Sequence, residues 1–417
     1  MRILAEDQAV LDHLAARDAE IVGRAVNWCA INSGSRNLEG LEQQLEVLLV
    51  EAARTLPCQV ERVALAPSQE VGDDGLLRDQ PHPPSLRLTM RPEAPTQVVM
   101  TGHYDTVYPA SSLFQSVERR ADGALHGPGI ADMKGGISVL MAALEAFETH
   151  PAREAVGWTV LISPDEEIGS LASAPVLAEL GRTGHLGLTY EPAMPDGSLA
   201  GARKGSANYH LVVKGRSAHA GRAFHEGRNA VAGASAIGWA LHGLNGRREG
   251  VTVNLGRIAG GSPSNVVPDT AVIRFNVRVP DKAAADWIEA AVADIVAQPP
   301  FEGLTLHLHG GFTRPPKPLD ASQQALMQVV TEAGGLLGQP IAFKSSGGVC
   351  EGNNLHAAGL PNIDTLGVRG GDIHSEAEYA WPESFVERAQ LSALILCKIA
   401  SGEVDAQALK RLRLETL

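Results

Sequence analysis

Four short apolar runs alternate with segments of helical periodicity, and this alternation most strongly constrains how the chain folds. The runs cover residues 98–100, 158–162, 186–190 and 364–368, and each is typical of a buried strand followed by a turn. Residues 133–147, between the first two runs, place their apolar side chains on one face of a helix. Strands that alternate with helices predict an α/β fold built on a doubly wound, mostly parallel sheet.

The pattern changes at about residue 204. From there to residue 309 we predict four strands and two helices, over residues 208–214, 229–244, 251–258, 270–279, 283–297 and 305–309. This order indicates a small α+β unit. The proline-rich residues 314–318 predict a rigid linker after it. A chain of 417 residues exceeds the usual size of one hydrophobic core. We therefore predict a catalytic domain made of residues 1–203 and 314–417, with residues 204–313 forming an inserted lid and dimerisation domain.

Composition excludes several classes of partner. The formal net charge of -13, without a conspicuous basic cluster, argues against nucleic acid. Cys29, Cys58, Cys350 and Cys397 lack the spacing of a disulfide framework or a thiolate zinc site. No apolar run reaches the length of a membrane span, and acidic residues occupy the position where a signal peptide would be apolar. We expect a cytoplasmic protein that binds neither membrane nor nucleic acid.

Acidic and histidine residues follow the predicted strands, and two more stand in glycine-rich loops. They are His103, Asp105, Asp132, Glu166, Glu167, Glu191 and His374. Open α/β sheets gather their functional groups at the carboxyl ends of the strands. Imidazole and carboxylate groups are the ligands that suit zinc-like divalent ions. Singly, each residue is as easily a turn former or a helix cap, so the prediction of a metal-dependent hydrolase rests on the set.

The set is large enough for two ions. Asp132 stands at the turn before the predicted helix, where a short carboxylate can bridge two ions. We expect His103 and Glu191 to complete the ligand set of one ion, and Glu167 with His374 to complete the ligand set of the other. Three carboxylates and two divalent ions leave the site near +1, which favours the binding and ionisation of water.

Two further residues are expected to support the reaction. Adjacent side chains of an extended segment point in opposite directions, so Glu166 approaches the open side of the site while Glu167 binds metal. We predict Glu166 as the general base. Asp105 is placed to accept a hydrogen bond from the second ring nitrogen of His103. A nucleotide-binding alternative fails, because the third glycine of a dinucleotide fingerprint is replaced by Asp132, whose charge would repel a pyrophosphate.

The motifs around these residues, taken together and in order, resemble those of the M20 metallopeptidases over about residues 20–400. The resemblance implies two zinc ions per subunit, with cobalt or manganese as possible substitutes. It also implies an inserted lid domain that forms a homodimer, and hydrolysis of an amide bond next to a free carboxylate.

The same resemblance implies further site residues. His219 matches the lid histidine that stabilises the oxyanion, often supplied by the partner subunit. The positions that resemble substrate contacts are Asn265, Arg278, Arg314, Lys204 and the backbone of Gly348. A guanidinium binds a carboxylate with two parallel hydrogen bonds, which suits Arg278 and Arg314 to this role.

Residues 345–354 depart from the family pattern, so the resemblance leaves the substrate open. We expect cleavage of small N-acyl amino acids or dipeptides in the manner of the glutamate carboxypeptidases. The alternative within enzymes is a deacetylase of the acetylornithine type. A non-catalytic binding protein of the same fold is disfavoured, because the predicted base and all predicted ligands are present.

Overall fold

The computed structural model describes residues 1–416, and its largest sheet has six strands, which we call the central sheet. Their spatial order is Gln59–Val63, Ser85–Met90, Val156–Ser163, Thr96–His103, Leu186–Thr189 and Asn362–Ile363. The last four strands are mutually parallel, and the first two are antiparallel to their neighbours. The predicted mostly parallel sheet is therefore confirmed.

Helices cover both faces of the central sheet. They are Ala5–Ala15, Asp18–Cys29, Leu38–Thr55, Lys134–Phe147, Ala174–Thr183, Ala321–Leu336, Glu351–Ala357, Glu383–Ala400 and Ala406–Leu414, with a 3-10 turn at Arg153–Ala155. Alternate residues of one strand serve the two faces: Val98 and Met100 join the main core with the fully buried helix Lys134–Phe147. Val99 packs instead in a smaller cluster beneath the helix Ala174–Thr183. Burial on both faces explains why the strands are apolar runs rather than alternating patterns.

A second sheet, which we call the insert sheet, has four antiparallel strands. Their order is Thr252–Gly260, Thr270–Val279, Gly205–Lys214 and Thr305–Arg314. The helices Ala230–His242 and Lys282–Ala297 cover one face, where the sheet and helices share a separate core. This α+β unit was predicted, and the exact domain boundaries stay predictions.

The smaller strands form the walls and loops around the two sheets. They are Ser68–Val71, Leu77–Gln80, Glu118–Arg119, Leu125–His126, Leu199–Arg203, Ala218–His219, Val266–Val267, Phe343–Ser346, Gly370–Gly371 and Tyr379–Ala380, with a 3-10 turn at Phe224–Glu226. Ser68–Val71 and Leu77–Gln80 form a hairpin whose Val71 packs on Val212 and Val272 of the insert sheet. This contact joins the hairpin to the insert sheet.

The prediction of a strand over residues 364–368 is wrong. The strand ends at Ile363, and Thr365 has a left-handed backbone conformation with φ of 65°. Asp364 is fully buried and pairs with Arg203 and Lys317, each at 2.8 Å. A buried carboxylate between two cations holds this segment in an irregular path that no periodicity reveals.

Candidate active site

The predicted metal residues converge at the carboxyl edge of the central sheet. His103 is the last residue of its strand, and Glu167 and Glu191 lie in the loops that follow the two flanking strands. Asp132 stands two residues before the helix Lys134–Phe147, and His374 lies in the loop after Gly370–Gly371. Parallel strands end at one edge, so residues far apart in sequence meet there.

These five residues form two triads that share Asp132. His103 Nε2 lies 3.3 Å from Asp132 Oδ1 and 3.7 Å from Glu191 Oε1. His374 Nε2 lies 3.2 Å from both Asp132 Oδ2 and Glu167 Oε2. In each triad the possible ligand atoms lie within 4.8 Å of one another. The grouping is the one that the sequence analysis assigned to two ions.

The charges of the triads fit divalent cations. Among residues 1–416, the buried atoms His103 Nε2, Asp132 Oδ1, Glu167 Oε1 and Glu191 Oε1 find no hydrogen-bond partner. Burial and the charge of Asp132 raise the pKa of Glu167 to about 8. Burial, followed by the charges of Glu166 and Asp132, raises the pKa of Glu191 well above its ordinary value. Unpaired buried carboxylates are unfavourable, and two cations would satisfy them together with the imidazoles.

Asp105 holds several groups of the site in place. Its carboxylate lies 3.3 Å from His103 Nδ1. The same carboxylate accepts hydrogen bonds from the backbone N–H groups of Glu166, at 3.1 Å, and Glu167, at 3.2 Å. Ser35 Oγ donates to it at 2.8 Å. One buried carboxylate thus orients an imidazole and the segment that carries the predicted base.

Arg314 contacts the predicted base. Its Nη2 donates to Glu166 Oε1 at 2.7 Å, and its Nη1 donates to Asn354 Oδ1 at 2.8 Å. Arg314 is only 1% exposed. Its charge is already matched by Glu166, and its role as a substrate contact stays a prediction. Arg278 fits that role better, because it lies half-buried on the wall of the cleft, with Nε donating to Asn276 Oδ1 at 3.0 Å.

A cleft of about 1180 Å³ opens between the metal residues and the insert sheet. It is lined by Asp132, Glu167, Glu191 and His374 of the triads and by the predicted residues Glu166, Arg278, Arg314 and Gly348. Lys204 does not line it, and its Nζ donates to the Gly250 carbonyl at 2.9 Å. The cleft therefore collects part of the predicted substrate contacts.

His219 and Asn265 lie elsewhere on the insert and do not line the cleft. They are neighbours, because the strands Ala218–His219 and Val266–Val267 pair, and Ala220 N–H donates to the Asn265 carbonyl at 2.9 Å. The His219 side chain is exposed, and its Nδ1 accepts from the N–H groups of Gly221 and Arg222. Within one chain, neither residue is brought to the metal residues.

A third group of possible ligands does not form a comparable site. Asp7, His150 and Cys397 lie together in the core. His150 Nδ1 accepts from the Ala152 N–H at 3.2 Å, which leaves the proton of the neutral ring on Nε2, the atom that would face a metal. Lys398 Nζ, 2.6 Å from Asp7 Oδ2, already neutralises the carboxylate. This group is best explained as a buried ion pair.

Glu378 was not predicted from the sequence. Its fully buried carboxylate accepts from the backbone N–H groups of Gly129, Ala131 and Asp132, at 2.8 to 3.0 Å, and from the Tyr108 hydroxyl at 2.7 Å. It therefore holds the loop that carries the shared Asp132. A lone glutamate four residues after His374 has no motif that distinguishes it from a surface charge.

Comparison of the sequence with known protein families shows the class of this protein. Residues 99–398 match the model of peptidase family M20/M25/M40, and the chain belongs to this family. The enzyme class predicted from the sequence, a metallohydrolase of the M20 type, is confirmed.

Two relatives within the family are similar to this chain in sequence. The chain is 26% identical to carboxypeptidase G2 of Pseudomonas sp. (strain RS-16) over 312 residues, which are 73% of this chain and 74% of the relative. It is 28% identical to succinyl-diaminopimelate desuccinylase of Acinetobacter baylyi over 303 residues, 68% and 76% of the two chains.

Solved structures share the fold. A tripeptidase from Staphylococcus aureus aligns with a TM-score of 0.69 at 20% identity. A metallo-carboxypeptidase from Sulfolobus solfataricus aligns with a TM-score of 0.70 at 14% identity. Each alignment covers 92% of this chain and 99% of the other. The predicted fold class, a catalytic α/β domain with an insert, is confirmed. Within residues 1–416, no helix is both long and apolar enough to cross a membrane.

Proposed function

We propose that this protein is a dinuclear zinc hydrolase that cleaves the amide bond of small N-acyl amino acids or dipeptides carrying a free carboxylate. The observation that carries the proposal is the pair of triads sharing Asp132, with Glu166 beside them in the cleft. His103, Asp132 and Glu191 would hold one ion, and Asp132, Glu167 and His374 the other. Cobalt or manganese would suit the same ligands.

The ions, when bound, supply Lewis acidity that activates water and polarises the scissile carbonyl. Glu166 accepts a proton from the attacking water and delivers it to the leaving amine. Arg314 keeps the Glu166 carboxylate in place through their 2.7 Å contact. Arg278 binds the free carboxylate of the substrate from the cleft wall.

The homodimer is part of the proposal. His219 and Asn265 lie outside the cleft of their own chain, which supports their delivery to the cleft of a second copy through the insert. His219 then stabilises the oxyanion in that copy. We also propose a cytoplasmic location, since all four cysteines are free in the described chain.

A deacylase of the acetylornithine type, whose amine product carries a positively charged side chain, is the second candidate. It is favoured by the similarity to a succinyl-diaminopimelate desuccinylase. Both reactions use the same base and metal ligands, so only the preferred substrate can discriminate between them.

The test uses metal-stripped protein reloaded with zinc and a panel of dipeptides, N-acetyl amino acids and N-succinyl amino acids. Mass spectrometry measures the release of free amino acid. We expect hydrolysis by the zinc-loaded protein and not by the stripped protein. Glu166→Gln should keep two zinc ions per chain and lose at least about 100-fold in kcat. Glu154→Gln, an exposed carboxylate away from the cleft, is the matched control.

Two results would contradict the proposal. Near-normal turnover by Glu166→Gln would remove its role as base. Absence of product from every member of the panel, with two zinc ions bound, would refute hydrolysis of this substrate class.

A further inference from the structure

The face of the insert sheet that lines the cleft carries three successive rows of polar side chains. Strand register places the members of each row opposite one another. The first row is Arg278, Ser206 and Arg314. The second row is Asn254, Asn276 and Asn208. The third row is Arg274, His210 and His309. Every member lines the cleft.

The rows are separated from the apolar core by the alternation of the strands. Residues between them, such as Ala207, Tyr209 and Val277, belong to the core on the opposite face. The polar face therefore has no packing partner among the helices of the insert. It faces the cleft, where the first row touches the predicted base through Arg314.

The rows extend the site well beyond the metal residues. Rows two residues apart on a strand lie about 7 Å apart, so the third row is about 14 Å from the first. An extended peptide advances about 3.4 Å per residue, so four residues span this distance and two residues reach the second row.

The second row has the chemistry of a peptide backbone. Each carboxamide offers a donor and an acceptor, as an amide bond does. Asn276 is already engaged: Nδ2 donates to Ser206 Oγ at 2.9 Å and to Asn208 Oδ1 at 2.8 Å, while Oδ1 accepts from Arg278 Nε. Asn208 and Asn254 flank it and are exposed. Asn276 thus orients the row and leaves its flanks to bind a ligand.

The third row offers two imidazole groups beside an arginine that is already paired. Arg274 Nη1 pairs with Asp73 at 2.6 Å, and Nη2 donates to the Val71 carbonyl at 2.7 Å. Asp73 also pairs with Arg257, so the hairpin that carries Asp73 and Val71 holds both guanidinium groups and lines this end of the cleft. His210 and His309 remain half-exposed beside it.

We propose that the three rows bind an extended chain with several amide groups, so that the preferred substrates are peptides of about three or four residues. This inference rests on the proposed hydrolase function and extends its substrate class from dipeptides to longer peptides. Short acyl groups and dipeptides would leave the third row empty.

The test lengthens the best short substrate of the panel by one, two or three alanines. One series adds them at the amino end and a second at the carboxyl end, and kcat/KM is measured with zinc-loaded wild-type protein. In one of the two series, we expect kcat/KM to rise about tenfold over the first two additions, mainly through KM, and then to level off.

Third-row variants provide the independent measurement. His210→Ala and His309→Ala should each lower kcat/KM for the longest peptide by roughly fivefold and leave the short substrate unchanged. Gln324→Ala, an exposed carboxamide on the helix Ala321–Leu336, is the control and should alter neither. Melting curves confirm that each variant is folded.

The outcomes separate the inference from the proposed function. If no substrate of any length is cleaved, the hydrolase proposal itself fails. If short substrates are cleaved but neither series gains with length, or the variants affect all lengths alike, the extended subsite is refuted while the hydrolase remains.

Discussion

Glu378→Gln isolates the residue that supports the shared metal ligand. The native carboxylate is fully buried and receives three backbone N–H groups and one hydroxyl. Glutamine keeps the shape but replaces one oxygen with an N–H donor. If the amide oxygen stays with Ala131 and Asp132, the new donor faces the Gly129 N–H, which cannot turn away.

The magnitude follows from these contacts. Leaving the Gly129 N–H unsatisfied costs about 1–3 kcal/mol, and turning two charge-assisted hydrogen bonds into neutral ones costs about 0.5–1.5 kcal/mol each. The free energy of unfolding of the metal-free protein should therefore fall by about 2–6 kcal/mol. Glu378 also holds the loop that carries the shared ligand Asp132, so zinc affinity should fall by about 10- to 100-fold.

Urea denaturation of the metal-free protein followed by circular dichroism measures the first quantity, and competition with a chelator measures the second. Glu376→Gln, which changes an exposed carboxylate two residues before Glu378, is the control and should change stability by less than about 0.5 kcal/mol. A Glu378→Gln protein with wild-type stability and wild-type zinc affinity would refute the reasoning.

Three further predictions concern the metal, a buried ion cluster and the dimer. Zinc at 100 times its dissociation constant should stabilise the stripped protein by about 2.7 kcal/mol for each of the two sites that it fills, seen as a higher melting temperature that chelator reverses; no shift would contradict a metal site. Asp364→Asn should cost about 3–5 kcal/mol at pH 7, because Arg203 and Lys317 lose their buried counter-charge. Burial raises the pKa of Asp364, but Arg203 and Lys317 lower it by more, so that the pKa falls from 3.8 to about 2. This stabilisation is complete above pH 3.8 and is lost as pH falls towards 2, so the difference in urea midpoint between wild type and Asp364→Asn should narrow there; a constant difference would contradict the assignment. Inactive Glu166→Gln and His219→Ala proteins, mixed under proven subunit exchange, should recover up to about a quarter of wild-type activity, since half of the dimers are mixed and each has one intact site; absence of recovery would exclude supply of His219 by the partner.

The fold class was accessible from the sequence because it depends on local patterns. Apolar runs and helical periodicity record which side chains a strand or helix buries, and the parallel part of the central sheet and the insert sheet were anticipated in this way. The antiparallel strands Gln59–Val63 and Ser85–Met90 were not predicted. The error at residues 364–368 has a tertiary cause. Asp364 binds Arg203 and Lys317, which are distant in sequence, and the strand stops before it.

The metal residues were accessible for a related reason. Strands that run parallel must end at one edge, so residues that follow them are expected to meet. The two triads have the membership that was expected. No comparable rule places the other residues: Arg314 pairs with Glu166, 148 positions away, and His219 lies outside its own cleft.

The sequence by itself determined the alternation of strands and helices, the insert and the set of candidate ligands, because each is encoded in neighbouring residues. Only the tertiary structure decided which polar groups support that set. Glu378 reaches the Asp132 N–H across 246 positions, and the polar rows of the insert sheet meet the cleft only once the strands are in register. Such contacts depend on how separate elements pack, and long-range packing leaves no periodic signal in the chain.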